Sequence, residues 1–134
     1  MPAFSEKSLE ILSTCDQKLV DLCTRVVRTI DCAVTSGYRT AAQQKELLLQ
    51  GKSKTGPEKS LHCTFPSRAV DLAPCSGGKV TWDPTAAYFL AGYVKRTAEE
   101  MGIKIRCGAD WNRNFDVTDE DFHDAYHFEL EKEQ

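Results

Sequence analysis

Apolar residues recur along the chain at helical and at strand spacing, and these patterns predict where helices and strands lie. Helical spacing follows residues that can cap a helix, namely Ser5, Asp16 and Thr40, and Pro84 suits the first turn of a last helix. The predicted helices cover residues 5 to about 15, 16 to about 30, 40–50 and 83 to about 101. The first helix is expected to carry an apolar stripe of Leu9, Ile11 and Leu12.

Short apolar segments between the helices predict the strands of a small sheet. They are CAVTSG at 32–37, AVDLA at 69–73, IKIRC at 103–107 and AYHFEL at 125–130, with KVTW at 79–82 as a further candidate. Helices come first and strands are interleaved irregularly. This order indicates an α+β fold, with a small antiparallel or mixed sheet and the N-terminal helices packed on it. At 134 residues, we expect one domain over 1–134.

Composition and charge argue against several classes of function. The chain has 17 basic and 20 acidic residues, a net charge of −3, and no cluster of basic residues, so nucleic-acid binding has little support. No apolar run approaches the roughly 20 residues that span a bilayer. The N-terminus lacks the pattern of a signal peptide. We therefore expect synthesis in the cytoplasm without an export signal, and no membrane insertion.

The six cysteines are expected to be free thiols. None of them forms a CxxC pair, which argues against a redox protein, and a chain without a signal peptide folds in a reducing compartment. Free cysteines in such positions behave as small apolar side chains. Cys63, next to His62, stays open as a metal ligand.

The residues that can carry chemistry gather around two histidines. SLHCTFPSRAVDLAP at 60–74 holds His62 and Asp71, and DAYHFEL at 124–130 holds His127. Side chains alternate along a strand, so Glu129 points the same way as His127 and can orient its imidazole. Two imidazoles and one carboxylate are typical of an open, catalytic zinc site. Asp124, expected in the turn before the last strand, would accept a proton from water. The alternative is a hydrogen-bonded strand histidine beside solvated acids.

The order S-x-H, A-x-D and D-x-x-H-x-E resembles the zinc peptidases of the D-alanyl-D-alanine carboxypeptidase and L-alanyl-D-glutamate endopeptidase family. SGYRT at 36–40 is similar to the family's strand-end arginine element, and GADWN at 108–112 to a segment of its phage endolysin branch. The resemblance implies the fold shared with hedgehog N-terminal domains and lysostaphin-type enzymes. It also implies zinc ligands, a general base, a substrate-binding or oxyanion-binding arginine and two supporting residues: His62, Asp71 and His127; Asp124; Arg39; Ser60 and Glu129.

The resemblance further implies a phage-type endolysin that cuts between L-Ala and D-Glu of the peptidoglycan stem peptide. We expect a monomer without a separate wall-binding domain, which reaches peptidoglycan after release from the host cytoplasm. A D,D- or L,D-carboxypeptidase of the same family and a non-catalytic zinc-binding module stay open as alternatives. The chain departs from the commonest family motif because eight residues separate His62 from Asp71, with Pro66-Ser67-Arg68 in the middle. A loop can absorb the longer spacing.

The acidic loop at 108–124 carries a second metal hypothesis. Oxygen donors occur there at alternate positions, as in a calcium loop: Asp110, Asn112, Asn114 and Asp116. The sixth position is Phe115, where an EF-hand has glycine, so a solvated acidic loop is the alternative. Bound calcium would order the segment that carries Asp124.

Overall fold

The computed structural model describes residues 2–120 and 123–132. These residues contain four helices: α1 Glu6–Leu12, α2 Gln17–Val27, α3 Ala41–Leu49 and α4 Pro84–Met101. In the same ranges, five strands form the sheet: β1 Cys32–Ser36, β2 Ala69–Ser76, β3 Lys79–Val80, β4 Ile105–Gly108 and β5 Asp124–Leu130. A 3₁₀ turn, Leu61–Cys63, lies in the long loop before β2. The predicted α+β class is confirmed.

The sheet is antiparallel at every pairing, which decides between the two predicted arrangements. Its strand order is β1-β2-β5-β4, with the short β3 paired to the end of β2. The candidate strand KVTW is confirmed for Lys79–Val80 and not for the two residues after them. Strand β2 is central, and its register with β5 sets Asp71 directly opposite His127.

The core lies between the sheet and the helices α2 and α4. Each helix buries one apolar face, and the large aromatic side chain at the centre, Phe128, is fully buried. Burying such a side chain contributes about 1.5–3 kcal/mol, so this layer anchors the strands that carry the site. None of the helices within the described residues is long and apolar enough to cross a membrane.

Helix α1 is shorter than predicted, because the residues that follow it pair with Ser67. Ser67 donates its N–H to the carbonyl of Thr14 at 2.8 Å and accepts the N–H of Asp16 at 2.8 Å. This pairing takes the chain out of the helix after Leu12, so the prediction that the helix continues to about Cys15 is wrong. The predicted apolar stripe is also incomplete, because Leu9 is 52% exposed. The Pro66-Ser67-Arg68 segment is therefore anchored and does not loop out.

The prediction that Asp124 lies in a turn before the last strand is wrong, because Asp124 is the first residue of β5. The register along β4 jumps from Cys107 opposite Phe128 to Gly108 opposite Asp124, so the β4–β5 pairing is irregular between these two positions. A Cβ on Gly108 would lie 2.9 Å from the Cβ of Asp124, so this close approach requires glycine.

Candidate metal centre

Three predicted ligands converge at the point where β2 and β5 pair. Nε2 of His62 lies 3.2 Å from Oδ1 of Asp71 and 3.3 Å from Nδ1 of His127, and the last two atoms are 3.3 Å apart. Within the described ranges, this is the one group of three or more His, Cys, Asp or Glu side chains close enough to share an ion. The structure therefore contains a candidate metal site of two imidazoles and one carboxylate.

Each imidazole uses its second nitrogen for a hydrogen bond that turns the first toward the site. Nδ1 of His62 lies 2.7 Å from the carbonyl of Gly37, which can only accept, so Nδ1 carries the proton and Nε2 has a free lone pair. Nε2 of His127 lies 2.8 Å from Oε1 of Glu129, as the strand alternation predicts. A carboxylate behind a ligating histidine fixes its tautomer and raises its basicity. Both donors therefore fit a divalent metal such as zinc.

The turn that carries His62 is held by the side chain of Ser60 and by the backbone of Arg39. Ser60 caps the 3₁₀ turn and its Oγ accepts the N–H of His62 at 3.3 Å. The N–H of Arg39 donates to the carbonyl of His62 at 2.8 Å. Ser60 therefore holds the turn that carries His62, and its supporting role in the site stays a prediction.

The side chain of Arg39 contacts Asp71 through the carboxylate oxygen that does not face the two histidines. Its Nη2 donates to Oδ2 of Asp71 at 3.0 Å, Nη1 donates to Oε1 of Gln44 at 3.1 Å, and Nε donates to Oγ of Ser36 at 3.0 Å. Asp71 thus gives one oxygen to the arginine and directs the other into the site. The predicted contact of Arg39 with substrate stays a prediction, while its contact with the ligand is a feature of the fold.

The pKa shifts of Asp71 and His127 show which positive charge a metal ion would replace. Burial favours a raised pKa for Asp71, but hydrogen bonds from His127 and His62 lower the pKa well below the ordinary range. Burial favours a lowered pKa for His127, but Asp71 and Glu129 raise it to about 9. A proton on His127 thus balances the carboxylates at neutral pH. A divalent cation would take over that role, so metal binding should release a proton.

Asp124 lies at the same cleft without belonging to the ligand group. The cleft has a volume of about 610 Å³, and the three ligands and Asp124 line it. Burial raises the pKa of the Asp124 carboxyl, and the nearby charge of Asp71 raises it further. Oδ1 of Asp124 accepts the N–H of Tyr126 at 3.3 Å. This carboxylate is thus held by the backbone beside the donors and faces the space that a substrate would occupy.

Three residues around the site were not singled out from the sequence. Trp111, inside the GADWN segment, places its ring 5.6 Å from that of His127. Arg106 donates to Oε2 of Glu129 at 2.9 Å. Gln44 is fully buried on α3 and contacts Arg39. The GADWN segment could have pointed to Trp111 as a site residue. A glutamine in a helix or an arginine in a strand, such as Gln44 and Arg106, has no sequence pattern that marks it as part of a site.

Asp110, the first of the predicted calcium ligands, already has partners within the protein. Asp110 is 1% exposed, forms an ion pair with Lys95 of α4, and accepts the backbone N–H groups of Asn114 and Phe115 at 3.2 and 2.8 Å. The Lys95 ammonium also lies 3.6 Å from the centre of the Phe115 ring. A lysine thus occupies the place of a cation at Asp110.

The other three predicted calcium ligands have partners too. The side-chain amides of Asn112 and Asn114 donate to Asp119 at 3.1 and 2.5 Å, and Asp116 accepts from Thr118. The loop is hydrogen-bonded without calcium, and the calcium hypothesis gains no support from it.

The remaining histidine and the cysteines lie outside the ligand group. Nδ1 of His123 lies 2.7 Å from the hydroxyl of Tyr88, and its Nε2 lies 3.0 Å from the carbonyl of Glu120. All six cysteines are free, as predicted, and four of them are buried. Cys63 is partly exposed, and its Sγ lies 3.9 Å from the carbonyl of Thr40, so it is not among the donors.

Comparisons with known proteins agree along nearly the whole chain. The family model described as phage L-alanyl-D-glutamate peptidase matches residues 2–131. The L-alanyl-D-glutamate peptidase of Escherichia phage T5 is 33% identical over an alignment of 134 positions, which covers 95% of this chain and 96% of that protein. The crystal structure of the Serratia marcescens L-Ala D-Glu endopeptidase ChiX is similar with a TM-score of 0.77 at 27% identity, over 97% of this chain and 91% of that one.

Proposed function

Because the chain belongs to the phage L-alanyl-D-glutamate peptidase family, we propose that it hydrolyses the L-Ala–D-Glu bond of the peptidoglycan stem peptide with one zinc ion held by His62, Asp71 and His127. Its family makes it a peptidoglycan-hydrolysing peptidase. The convergence of two oriented imidazoles and one carboxylate oxygen carries the metal part of the proposal. Such a set of three ligands leaves a coordination position open, as catalytic zinc sites do.

Zinc in such a site supplies Lewis acidity for the scissile carbonyl and lowers the pKa of water. Asp124 is the proposed general base, which accepts a proton from the attacking water and returns it to the leaving amino group of D-Glu. Its place at the cleft and its raised pKa support this role, since a carboxylate with a raised pKa is a better proton acceptor.

Arg39 is proposed to hold Asp71 in place and to reach the substrate with what remains of its guanidinium. Each terminal nitrogen carries two N–H groups, and the hydrogen bonds to Gln44 and Asp71 use one on each. The remaining N–H groups can donate hydrogen bonds to an oxygen that gains negative charge during the reaction. Ser60 and Glu129 are proposed to orient the two histidines.

The setting of the reaction is proposed by analogy with the phage family. In this proposal the protein is made in the cytoplasm of an infected host and meets peptidoglycan after release. It acts as a monomer whose one peptidase domain covers 1–134. Support comes from the phage T5 relative and from the family model.

Metal analysis paired with digestion of purified peptidoglycan tests the proposal. We expect the wild type to contain zinc and to release stem peptides that begin with D-Glu, seen by mass spectrometry of the products. Asp124→Ala should keep zinc and lose at least about 100-fold in rate, because general bases contribute that much. Asp21→Ala, a change at an exposed acid on α2, is the matched control.

Each alternative predicts a different result in the same experiment. Loss of a terminal D-Ala alone would identify a carboxypeptidase. Unchanged hydrolysis by Asp124→Ala would refute the role of Asp124, and a fully active protein without metal would refute the zinc site.

A further inference from the structure

The cleft beside the metal site is basic although the chain is acidic. Among the described residues, seven of the 17 basic side chains line it, but only four of the 20 acidic ones do. Two of those four acids, Asp71 and Asp124, belong to the proposed catalytic group. A cleft lined mainly by one sign of charge concentrates ligands of the opposite sign. The substrate-binding surface of this protein is thus built for an anionic group.

The two walls of the cleft differ in whether their cations are already paired. On the β4 side, Arg106 contacts Glu129 at 2.9 Å and Arg113 contacts Glu131 at 2.6 Å. On the other side, the segment 51–60, here called the lysine loop, contributes three lysines and no acid to the cleft. Lys52 and Lys59 have no ion-pair partner within residues 2–120 and 123–132. Lys132, which follows β5 and also lines the cleft, has no ion-pair partner among these residues either, so the lysine loop holds two of the cleft's unpaired cations.

The lysine loop is tied to the metal ligands by Gln44. The Nε2 of this buried side chain donates to Oγ of Ser53 at 2.9 Å and to the carbonyl of Thr55 at 2.8 Å. Its Oε1 accepts from Arg39, which in turn holds Asp71. One glutamine thus links the ligand set to the loop at Ser53 and Thr55, which lie between Lys52 and Lys59.

A glutamate residue within a peptide has two carboxyl groups and needs only one to continue the chain. The L-Ala–D-Glu bond therefore has a second carboxylate on the residue that supplies the leaving amine. We infer that Lys52 and Lys59 form a subsite for this free carboxylate and make the enzyme selective for stem peptides in which it is not amidated. This inference rests on the proposed function and names the substrate form that the cleft takes.

Two synthetic stem peptides test the subsite, identical except that the free carboxylate of D-Glu is a carboxamide in the second. The wild type should cleave the carboxylate peptide with a kcat/KM at least about fivefold higher, since each exposed ion pair contributes modestly. The variant Lys52→Gln/Lys59→Gln should lose this preference through a higher KM for the carboxylate peptide, with cleavage of the amide unchanged. Lys45→Gln/Lys79→Gln removes the same charge at exposed positions outside the cleft and should keep the preference.

The outcomes separate this inference from the proposed function. If the wild type cleaves neither peptide, the proposed function fails. If it cleaves both equally, or if the lysine variant keeps the wild-type preference, the subsite is refuted and the function stands. If the kcat/KM of the variant falls equally for both peptides, the lysines bind another group and the subsite is again refuted. Zinc content and the circular dichroism spectrum of each variant establish that it is folded and loaded.

Discussion

The sequence predicted a cation site both in the metal cluster and in the acidic loop. In the structure, the carboxylates of the two regions differ in how many of their oxygens already have partners outside the predicted ligand set. Asp71 gives Oδ2 to Arg39 and keeps Oδ1 directed at the two imidazoles. Asp110 gives its carboxylate to Lys95 and to two backbone N–H groups. Both carboxylates are largely buried, and both have a cationic partner.

The two sites differ in whether the protein leaves the ligand atoms available to a metal ion. An ion needs donors whose lone pairs converge and are not already satisfied by the chain. In the cluster, hydrogen bonds to Gly37 and Glu129 occupy the far nitrogens and leave the near ones available. In the loop, Lys95 and two backbone N–H groups already bind the oxygens of Asp110. Three predictions test this contrast, from the largest expected effect to the smallest.

Removing the charge of Asp71 should have the largest effect. Asp71→Asn keeps the shape but replaces a charged ligand, so zinc affinity should fall by more than about 100-fold, the upper cost of changing a residue behind the ligands. Zinc content after dialysis and the rate of peptidoglycan digestion measure this loss. Asp116→Asn in the acidic loop is the matched control and should retain both. Full zinc content in Asp71→Asn would contradict the assignment.

Breaking the buried ion pair should damage stability and spare the metal. Lys95→Met leaves the Asp110 carboxylate buried without its counter-charge, which should lower the free energy of unfolding by about 3–5 kcal/mol. Urea denaturation measures the change, and zinc content per folded chain should match that of the wild type. Adding Asp110→Asn should restore part of the stability, because the amide oxygen still accepts backbone N–H groups. A loss below about 1 kcal/mol would mean that the pair is not structural.

Calcium should have the smallest effect on the wild type. Because Lys95 neutralises Asp110, millimolar calcium should shift the melting temperature of the zinc-loaded protein by less than about 1 °C and leave its activity unchanged. Magnesium at the same concentration controls for ionic strength. A calcium-specific rise in melting temperature would show that the loop binds this ion and would restore the original hypothesis.

Much of the fold was predictable because its signals are local. Caps at Ser5, Asp16 and Thr40 and the periodic apolar residues after them identified the helices before any contact was known. Helix length was less predictable, since α1 ends where Ser67 pairs with the backbone around it. Asp124 was placed outside β5 for the same reason, because Gly108 of another strand extends the pairing to it.

The sequence by itself determined the residue types of the metal site, through two histidines and their carboxylates on predicted strands. The order of the strands, which brings Asp71 opposite His127, was decided by tertiary structure. So were the contacts of Gln44 with the lysine loop and of Lys95 with Asp110. Whether a buried polar group is a ligand, a structural partner or a support depends on which distant group satisfies its hydrogen bonds. Periodicity along one chain does not contain that information.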